Sequence, residues 1–561
     1  MLEQGRPIVL AATRSESTEY LKSAWRQMLL ATIPHRYARL IGSDWSLETE
    51  VRPDGQALYV PNGLRVVESL LCQAFPEEWI AVCYPEQLHR FVGPETKVVG
   101  VHAHNPLGIT FATDVYAKLY GADLEPINAA QFRFLMEHPI LSRHRHHLKL
   151  IVGGPGAWQI AHKGMQDPWG IDCLVEGEAE EHVVDLFDRA VRGETLPRRV
   201  FCESPSLESI PVLKHRATYG VVEITRGCGR GCQFCSVNLR RGQSFPLEHI
   251  LRNVEVQTAE GADTIMLTTE DLFLYQHGPG FQPNRPALKQ LLESVAAVPG
   301  VRHVLLTHGT ITPAVLDPGL VEELSPVAVG KSVNRHPAST HPEHRFAMMF
   351  VGLETGSVRL FKKYMKGKSY PFRPEQWPDV VLKGIEIMNR NNWFPLATCI
   401  LGLPDEQPED TKQSLELLYS LQDAKWCVIP TLFTPLVDTR LGDAEGAKLY
   451  RLTDLQWEFF FTCWRYNMDF FRNSLSERWK FGLGVPIYYS LIGRRLFGKA
   501  MKYPLLRLAH VPERWMRGKL YLDFSDPHRP RLRPPDALRP PERLTTTTVG
   551  DGPEQPVGWQ P

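Results

Sequence analysis

Three cysteines in one short, glycine-rich segment are the residues of this chain best suited to chemistry. Cys228, Cys232 and Cys235 follow the pattern C-x3-C-x2-C, directly after the apolar stretch Gly220–Thr225. Thiolates are the usual ligands of iron–sulfur clusters, and three of them leave one iron of a [4Fe–4S] cluster without a protein ligand. The spacing therefore predicts a reducible cluster with one open iron, at which a small molecule is bound and cleaved.

A zinc site and a disulfide with one spare thiol are the other uses of such cysteines. Structural zinc needs a fourth ligand at matched spacing, and the sequence near the triplet has neither a second C-x2-C nor a His pair. Disulfides belong to oxidising compartments, whereas the first residues show no apolar signal stretch, so we expect a cytoplasmic location. The remaining cysteines are expected to be small buried hydrophobic residues: Cys72, Cys83, Cys173, Cys202, Cys399, Cys427 and Cys463.

The cysteine segment resembles the cluster loop of the radical S-adenosylmethionine (SAM) enzymes, and this resemblance extends over about 219–440. It implies that Cys228, Cys232 and Cys235 are the catalytic metal ligands and that the open iron binds the amino and carboxylate groups of SAM. Phe234 matches the aromatic residue that leans on the adenine. The implied reaction is reductive cleavage of SAM, with one electron from a reductant such as flavodoxin or ferredoxin.

Two acidic residues follow the strand-like stretch Thr264–Thr268. The resemblance implies that Glu270 accepts hydrogen bonds from the amino group of SAM, with Asp271 as its neighbour in the same site. A carboxylate suits this role because a charge-assisted hydrogen bond to an ammonium group is roughly twice as strong as a neutral one.

Two later segments match the family in order and spacing. In the first, the resemblance places Glu354 and Ser357 against the ribose and carboxylate of SAM, and helix capping is the alternative role for Ser357. In the second, Leu401 and Gly402 end a strand that would pack against the adenine. All of these residues follow predicted strands, and the carboxyl ends of barrel strands are where such active sites are built.

Residues 1–200 alternate short apolar strands with helical stretches, which predicts a doubly wound, mostly parallel sheet. This region resembles the cobalamin (B12)-binding domain that precedes the barrel in one subclass of radical SAM enzymes. The resemblance rests on the segments around Gly153-Gly154 and Gly177, and it implies that these glycines contact the cofactor. Glycine allows a bulky group to approach the backbone closely.

The common cobalamin signature Asp-x-His-x-x-Gly is absent, since the loop after the first strand reads Thr13–Tyr20. His102 and His104 follow a later strand, so their position in the sequence does not match that of the lower cobalt ligand. Either cobalamin binds without a protein histidine beneath the cobalt, or the fold is kept without the cofactor; we expect binding.

The predicted fold class is α/β: a doubly wound N-terminal domain, a partial (β/α)6 radical SAM barrel and a helical C-terminal region. At 561 residues, of which 43% are hydrophobic, the chain is long enough for several buried cores. The predicted regions are a cobalamin-binding-like domain at 1–200, a linker at 201–218, the barrel at 219–440, an aromatic-rich helical region at 441–524 and a disordered proline-rich tail at 525–561.

The formal net charge is zero, so we expect no nucleic-acid partner. No apolar run reaches the roughly 20 residues of a membrane span. The aromatic helices of 441–524 are expected to pack on the barrel, and a lid or a peripheral membrane contact for a lipid-like substrate is the alternative.

The expected function is a cobalamin-dependent methyltransferase acting on an unactivated carbon of a small-molecule or lipid-like substrate. One alternative is a radical SAM cyclase or C–C bond-forming enzyme without methyl transfer. A second is a non-catalytic iron–sulfur binding module, which would have no use for strand ends shaped to hold SAM.

Overall fold

The computed structural model describes residues 4–19, 34–36, 49–119, 124–236, 242–335, 345–437, 439–470, 490, 521–523 and 531–533. The chain divides into two compact units. Unit 1 comprises Met1–Val222, Phe245–Ile265 and Val298–Val301, and unit 2 comprises Glu223–Ser244, Met266–Ala297 and Arg302–Pro561.

Unit 1 contains a six-stranded sheet in the order β2-β1-β3-β4-β5-β6, in which every neighbouring pair is parallel. The chain order reverses between β1 and β3, so the topological switch point of the sheet lies between these two strands. The strands are β1 Ile8–Ala11, β2 Ile80–Cys83, β3 Val98–His102, β4 Lys149–Gly153, β5 Cys173–Gly177 and β6 Arg199–Cys202.

Helices cover both faces of this sheet, as the continuous apolar sequences of its strands require. Ile8 and Leu10 of β1 pack in one core with α2 and α8, whereas Val9 and Ala11 pack in another with α3, α5 and α7. The predicted doubly wound domain is therefore confirmed. The helices of unit 1 are α1 Arg14–Ser17, α2 Asn62–Ala74, α3 Leu88–Phe91, α4 Phe111–Lys118, α5 Ile127–Met136, α6 Pro139–His144, α7 Ala157–His162, α8 Val183–Val191 and α9 Leu247–Ala259.

The strands that carry the barrel motifs form a sheet ordered β11-β10-β7 and a sheet ordered β12-β13-β14-β15. β11 and β12 are separated by Thr307 alone, whose hydroxyl donates to the carbonyl oxygens of Leu267 and Thr269 at 3.1 and 3.2 Å. Taken as one interrupted strand, they give the six positions of the predicted partial barrel. The strands are β7 Val221–Glu223, β8 Thr225–Arg226, β9 Gln243–Ser244, β10 Thr264–Thr268, β11 His303–Leu306, β12 His308–Gly309, β13 Ala347–Glu354, β14 Trp393–Leu401 and β15 Cys427–Leu432.

The helices of unit 2 include one in the predicted aromatic region, α16, and four neighbouring aromatic residues of this helix are buried. Trp457, Phe459, Phe460 and Phe461 are each 5% exposed or less, which fits a packing role for this helix. The helices are α10 Arg285–Ala297, α11 Thr312–Leu316, α12 Pro318–Ala328, α13 Val358–Tyr364, α14 Trp377–Arg390, α15 Pro408–Ser420 and α16 Asp454–Phe470.

Most of the sequence beyond α16 lies outside the described residues, including most of the predicted tail and most of the predicted aromatic-rich region after residue 470. Within the described part, β16 Tyr521–Asp523 pairs antiparallel with β17 Arg531–Arg533. No helix among the described residues has the length and apolar character to cross a membrane.

The amide of Asn467, on α16, occupies the hydrogen-bonding groups of strand β15. Its Oδ1 accepts from the N–H of Val428 at 2.6 Å, and its Nδ2 donates to the carbonyl oxygen of the same residue at 2.7 Å. Asn467 is fully buried, so water cannot replace it. This side chain therefore satisfies backbone groups of β15 that a further strand would otherwise pair with.

We expect Asn467→Ala to lower the free energy of unfolding by about 1–3 kcal/mol, because it leaves a buried N–H and a buried C=O without partners. Asn467→Asp is the matched control: it keeps the size of the side chain and one acceptor but removes the donor. Denaturant or thermal unfolding measures both variants. An unchanged stability of Asn467→Ala would contradict a structural role for this amide.

Candidate active site

The cysteine segment is a loop whose ends are paired. β8 precedes the first cysteine and pairs antiparallel with β9, with Thr225 opposite Ser244. Between them, Gly227, Gly229 and Gly231 all have positive φ values, from 73° to 75°. This left-handed conformation is one that glycine adopts without steric cost. The glycines that alternate with the cysteines therefore let the loop turn repeatedly.

The three thiols differ in exposure. Cys228 and Cys232 are 5% and 1% exposed, whereas Cys235 is partly exposed. Burial raises the pKa of both buried thiols to about 12, which keeps them protonated in the metal-free protein. Binding of iron would deprotonate them, since thiolate is the form that ligates metal. Among the described residues, no three or more His, Cys, Asp or Glu side chains are placed so that they could together hold one metal ion.

A buried ion pair fixes the cysteine loop to the end of β10. Arg230, between the first two cysteines, is 2% exposed, and its Nε and Nη2 lie 3.2 and 3.1 Å from Oδ2 of Asp271. The guanidinium also lies over the ring of Phe281, 4.7 Å from its centroid. Asp271 accepts further bonds from the N–H and hydroxyl of Thr310, at 3.2 and 2.8 Å. Its oxygens are therefore already occupied by protein donors.

Glu270, one residue earlier, has the opposite environment. Its Oε2 is buried and has no hydrogen-bonding partner among the described residues. Burial, with a further contribution from the carboxylate of Glu223, raises the pKa of Glu270 to about 7. A buried carboxyl oxygen without a donor is unusual in a folded protein. A ligand with an ammonium group would supply the missing donor.

Glu354 ends β13 with a φ of 64° and forms a buried pair with Lys368. Nζ of Lys368 donates to Oε1 of Glu354 at 2.5 Å and to the carbonyl oxygen of Gly352 at 2.8 Å. Burial by itself would lower the pKa of this lysine, but Glu354, Cys232 and Cys235 together raise it. Lys368 was not among the residues predicted from the sequence; it lies 14 positions after Glu354.

Ser357 caps helix α13. Its hydroxyl accepts from the N–H of Leu360 at 3.3 Å and donates to Oδ1 of Asp410 at 2.5 Å, and the side chain is fully buried. Both functions of this hydroxyl are thus used within the protein, which favours the capping role over contact with SAM.

The adenine side of the predicted site lies at the end of β14. Leu401 is its last residue, and Gly402 follows with a φ of 75°. The N–H of Gly402 donates to Oε2 of Glu406 at 2.5 Å. Phe234 is partly buried in the cysteine loop. The adenine contacts of these residues stay predictions.

The three glycines predicted to contact cobalamin lie at the carboxyl ends of β4 and β5. Gly154, with a φ of 109°, passes so close to Ala103 that a Cβ would lie 2.9 Å from its carbonyl oxygen. A Cβ at Gly177 would overlap the carbonyl oxygen of Cys202. Packing of the backbone on itself therefore requires glycine at these two positions, whereas a Cβ at Gly153 would make ordinary contact with Val175. The cobalamin contacts of all three glycines stay predictions.

The donor set fits a [4Fe–4S] cluster and SAM. Three neighbouring thiols, one unpartnered carboxyl oxygen and a buried lysine that interacts with two of the thiols lie in unit 2. Comparison with known families agrees: residues 222–418 match the model described as the Radical SAM superfamily. The chain contains a radical SAM domain.

Relatives of known name match this domain over part of their length. The tRNA-2-methylthio-N(6)-dimethylallyladenosine synthase of Leptothrix cholodnii is 25% identical over 278 residues, which cover 48% of this chain and 54% of the relative. The ribosomal protein uS12 methylthiotransferase RimO of Sorangium cellulosum is 37% identical over 109 residues, covering 18% of this chain and 22% of the relative. The chain thus spans about half the length of the first relative and less of the second.

Solved structures share the fold over more of the chain. The radical SAM methyltransferase TsrM from Kitasatospora setae, with cobalamin and a [4Fe–4S] cluster bound, aligns with a TM-score of 0.51 at 14% identity. The alignment covers 78% of this chain and 77% of TsrM. TsrM with tryptophan and a SAM analogue aligns over 78% and 75%, with a TM-score of 0.50 at 15% identity. The predicted combination of folds is therefore confirmed.

Glu270 predicts a pH dependence of stability. The pKa of this residue is about 7 in the folded protein and near 4.5 when unfolded, so its favourable contribution is complete below 4.5 and is lost as pH rises through 7. The loss is about 3 kcal/mol. We expect the cluster-free protein to lose stability between pH 5 and 8 relative to Glu270→Gln, which has no charge to bury.

Thermal unfolding of both proteins across this pH range measures the effect, with the exposed Glu255→Gln as the control. Parallel pH profiles for wild type and Glu270→Gln would show that Glu270 ionises freely in the folded protein.

The cysteine assignment predicts that Cys232→Ala abolishes cluster assembly, because two thiolates cannot hold the cluster in place of three. Cys83→Ala, which removes an equally buried thiol from β2, should assemble a normal cluster. Iron and sulfide content and the visible absorption after anaerobic reconstitution measure both. A full iron complement in Cys232→Ala would refute the assignment.

Proposed function

We propose that this protein is a radical SAM enzyme that cleaves SAM reductively, and that it is a cobalamin-dependent methyltransferase acting on an unactivated carbon. The observation that carries the first part is the buried, unpartnered Oε2 of Glu270, one residue from the carboxylate that fixes the cysteine loop. The fold shared with TsrM supports the second part.

The roles of the residues follow from their contacts. Cys228, Cys232 and Cys235 would hold three irons of the cluster. Glu270 would accept a hydrogen bond from the SAM ammonium group, and this cation would favour the ionised carboxylate. When bound, the cluster supplies one electron to the sulfonium and cobalamin supplies a methyl carrier.

Lys368 would act on the electrostatics of the cluster. Its buried ammonium influences both Cys232 and Cys235, and it is held in place by Glu354. A fixed positive charge near thiolates compensates part of their negative charge, which favours the reduced state of a bound cluster. Burial of the pair also excludes water from this side of the loop.

The named relatives make methylthio transfer a second candidate function. Methylthio transfer adds sulfur as well as a methyl group, and so it requires a sulfur source. The seven cysteines outside the triplet are far apart in the sequence. All seven are among the described residues, and none of them belongs to a group of three or more His, Cys, Asp or Glu side chains that could hold a metal ion. This favours methyl transfer, with cyclisation or C–C bond formation on an apolar substrate as the further alternative.

The proposed substrate is a small molecule or an RNA. Because these relatives are named for tRNA and a ribosomal protein, they do not support the prediction that nucleic acid is excluded. A net charge of zero describes the whole chain and says nothing about the charge of one surface.

The test is anaerobic reconstitution of the full chain with iron, sulfide and cobalamin, followed by dithionite and SAM carrying a deuterated methyl group, in cell extract. We expect 5′-deoxyadenosine, S-adenosylhomocysteine and one extract fraction that gains the intact labelled methyl group. Separation into RNA, protein, lipid and small-molecule fractions identifies the substrate class. Cys232→Ala is the control for enzymes of the extract.

Labelled methylthio groups in RNA would favour the second candidate. Deoxyadenosine without transferred label would favour the enzyme without methyl transfer. The absence of both deoxyadenosine and transferred label would contradict the proposed function.

A further inference from the structure

One buried histidine lies at the switch point of the unit 1 sheet. His102 is the last residue of β3, and Nδ1 of its ring lies 2.9 Å from Oε2 of Glu16, in α1 directly after β1. The two side chains are 8% and 5% exposed. Because β1 and β3 are the strands between which the chain order reverses, this pair spans the crevice where doubly wound sheets bind their ligands.

The carboxylate of Glu16 is held by a backbone donor on one oxygen and by His102 on the other, and the backbone of Glu16 is fixed by a helix cap. Its Oε1 accepts from the N–H of His104 at 2.9 Å. At the start of α1, Thr13 caps the helix by accepting from the N–H of Glu16 at 3.3 Å. The hydroxyl of Ser17 donates to the carbonyl oxygen of Thr13 at 2.9 Å. The orientation of the His102 ring is therefore fixed through a rigid partner.

The other ring nitrogen is available. With a carboxylate at Nδ1, the proton of the neutral imidazole belongs on Nδ1, and Nε2 carries the lone pair. Among the described residues, Nε2 has no hydrogen-bonding partner. Glycines flank the ring: a Cβ at Gly63 would lie 3.7 Å from Nε2, and a Cβ at Gly154 would lie 3.3 Å from Cδ2. A larger residue at either position would crowd the ring.

A carboxylate on one ring nitrogen and a free lone pair on the other is the arrangement of histidines that ligate metals. The tertiary structure also places His102 near the position that the histidine of the absent Asp-x-His-x-x-Gly signature would occupy. That signature places its histidine after β1, and the sheet places the end of β3 beside the same loop, with Glu16 of that loop bonded to His102.

We propose that Nε2 of His102 is the protein ligand to the cobalt of cobalamin, with Glu16 as its positioning residue. The lone pair of Nε2 would form a coordinate bond in place of water or the cofactor's own base, without a change in the oxidation state of cobalt. This inference rests on the proposed use of cobalamin, and it replaces the expectation that no histidine lies beneath the metal.

The test is electron paramagnetic resonance of the full chain loaded with cob(II)alamin. An axial ¹⁴N ligand splits each cobalt line into a triplet, and protein grown with ¹⁵N-histidine should show a doublet instead. The isotope distinguishes a histidine ligand from the cofactor's own base, because the nitrogen of that base remains ¹⁴N. The label changes no contact, so this comparison does not depend on a variant that folds.

His102→Ala should bind cobalamin without the protein-derived splitting, and Glu16→Gln should lower cobalamin affinity by about 10- to 100-fold. His104→Ala, which keeps the main-chain bond to Glu16, is the matched control and should keep the doublet. A triplet that survives ¹⁵N-histidine labelling, or no nitrogen splitting with cobalamin bound, would overturn the inference alone. If cobalamin does not co-elute with the protein in gel filtration, the proposed use of this cofactor is overturned as well.

Discussion

The buried ion pair between Arg230 and Asp271 is the interaction on which the candidate active site depends. The described residues of the cysteine loop between β8 and β9 form no helix or strand. The backbone bonds of this loop include that of Gln233, whose N–H donates to the carbonyl oxygen of Tyr364 at 2.9 Å. Removing two charges from water costs several kcal/mol, and the cost is offset only where the remaining donors and acceptors are satisfied. Here Asp271 receives bonds from Arg230 and from Thr310, and Arg230 lies over the ring of Phe281. Nη2 of Arg230 lies 3.1 Å from Oδ2 of Asp271 but makes no hydrogen bond among the described residues. The cysteine loop and the end of β10 are thereby tied into one arrangement.

Adjacent carboxyl groups serve different purposes in this arrangement. Asp271 is saturated with donors and supports the loop, whereas Glu270 is buried with one oxygen unpartnered. Both residues lie beyond the last residue of β10, where the chain bends, and there Asp271 meets Arg230 and Thr310 whereas Oε2 of Glu270 meets no donor. Two groups of the same chemistry are thus separated by environment into a structural carboxylate and one that is poised for a cation. Lys368 adds a fixed positive charge on the side of the thiols.

Local pattern was enough to predict much of the fold and part of the site. The apolar runs of β1, β3 and β4 are interrupted by polar turns, so both their type and their parallel arrangement follow from the sequence. The close spacing of Cys228, Cys232 and Cys235 needs no tertiary information, because residues so near in the chain are also near in space. The role of Ser357 was open between capping and cofactor contact, since a serine before a helix suits both; its bonds to Leu360 and Asp410 favour capping.

The sequence by itself determined the class of both folds, and it predicted the cluster ligands and Glu270 as a carboxylate after a strand, because each of these depends on residues within a few positions of one another. Only the tertiary structure decided that Arg230 pairs with Asp271, that Lys368 reaches Glu354, and that the glycines at 154 and 177 are required by the backbone around them. It also decided that His102 meets Glu16, 86 positions away. The physical reason is strand order: a parallel sheet brings together the ends of strands that are distant in the chain, and which ends become neighbours is fixed by the packing of the whole sheet.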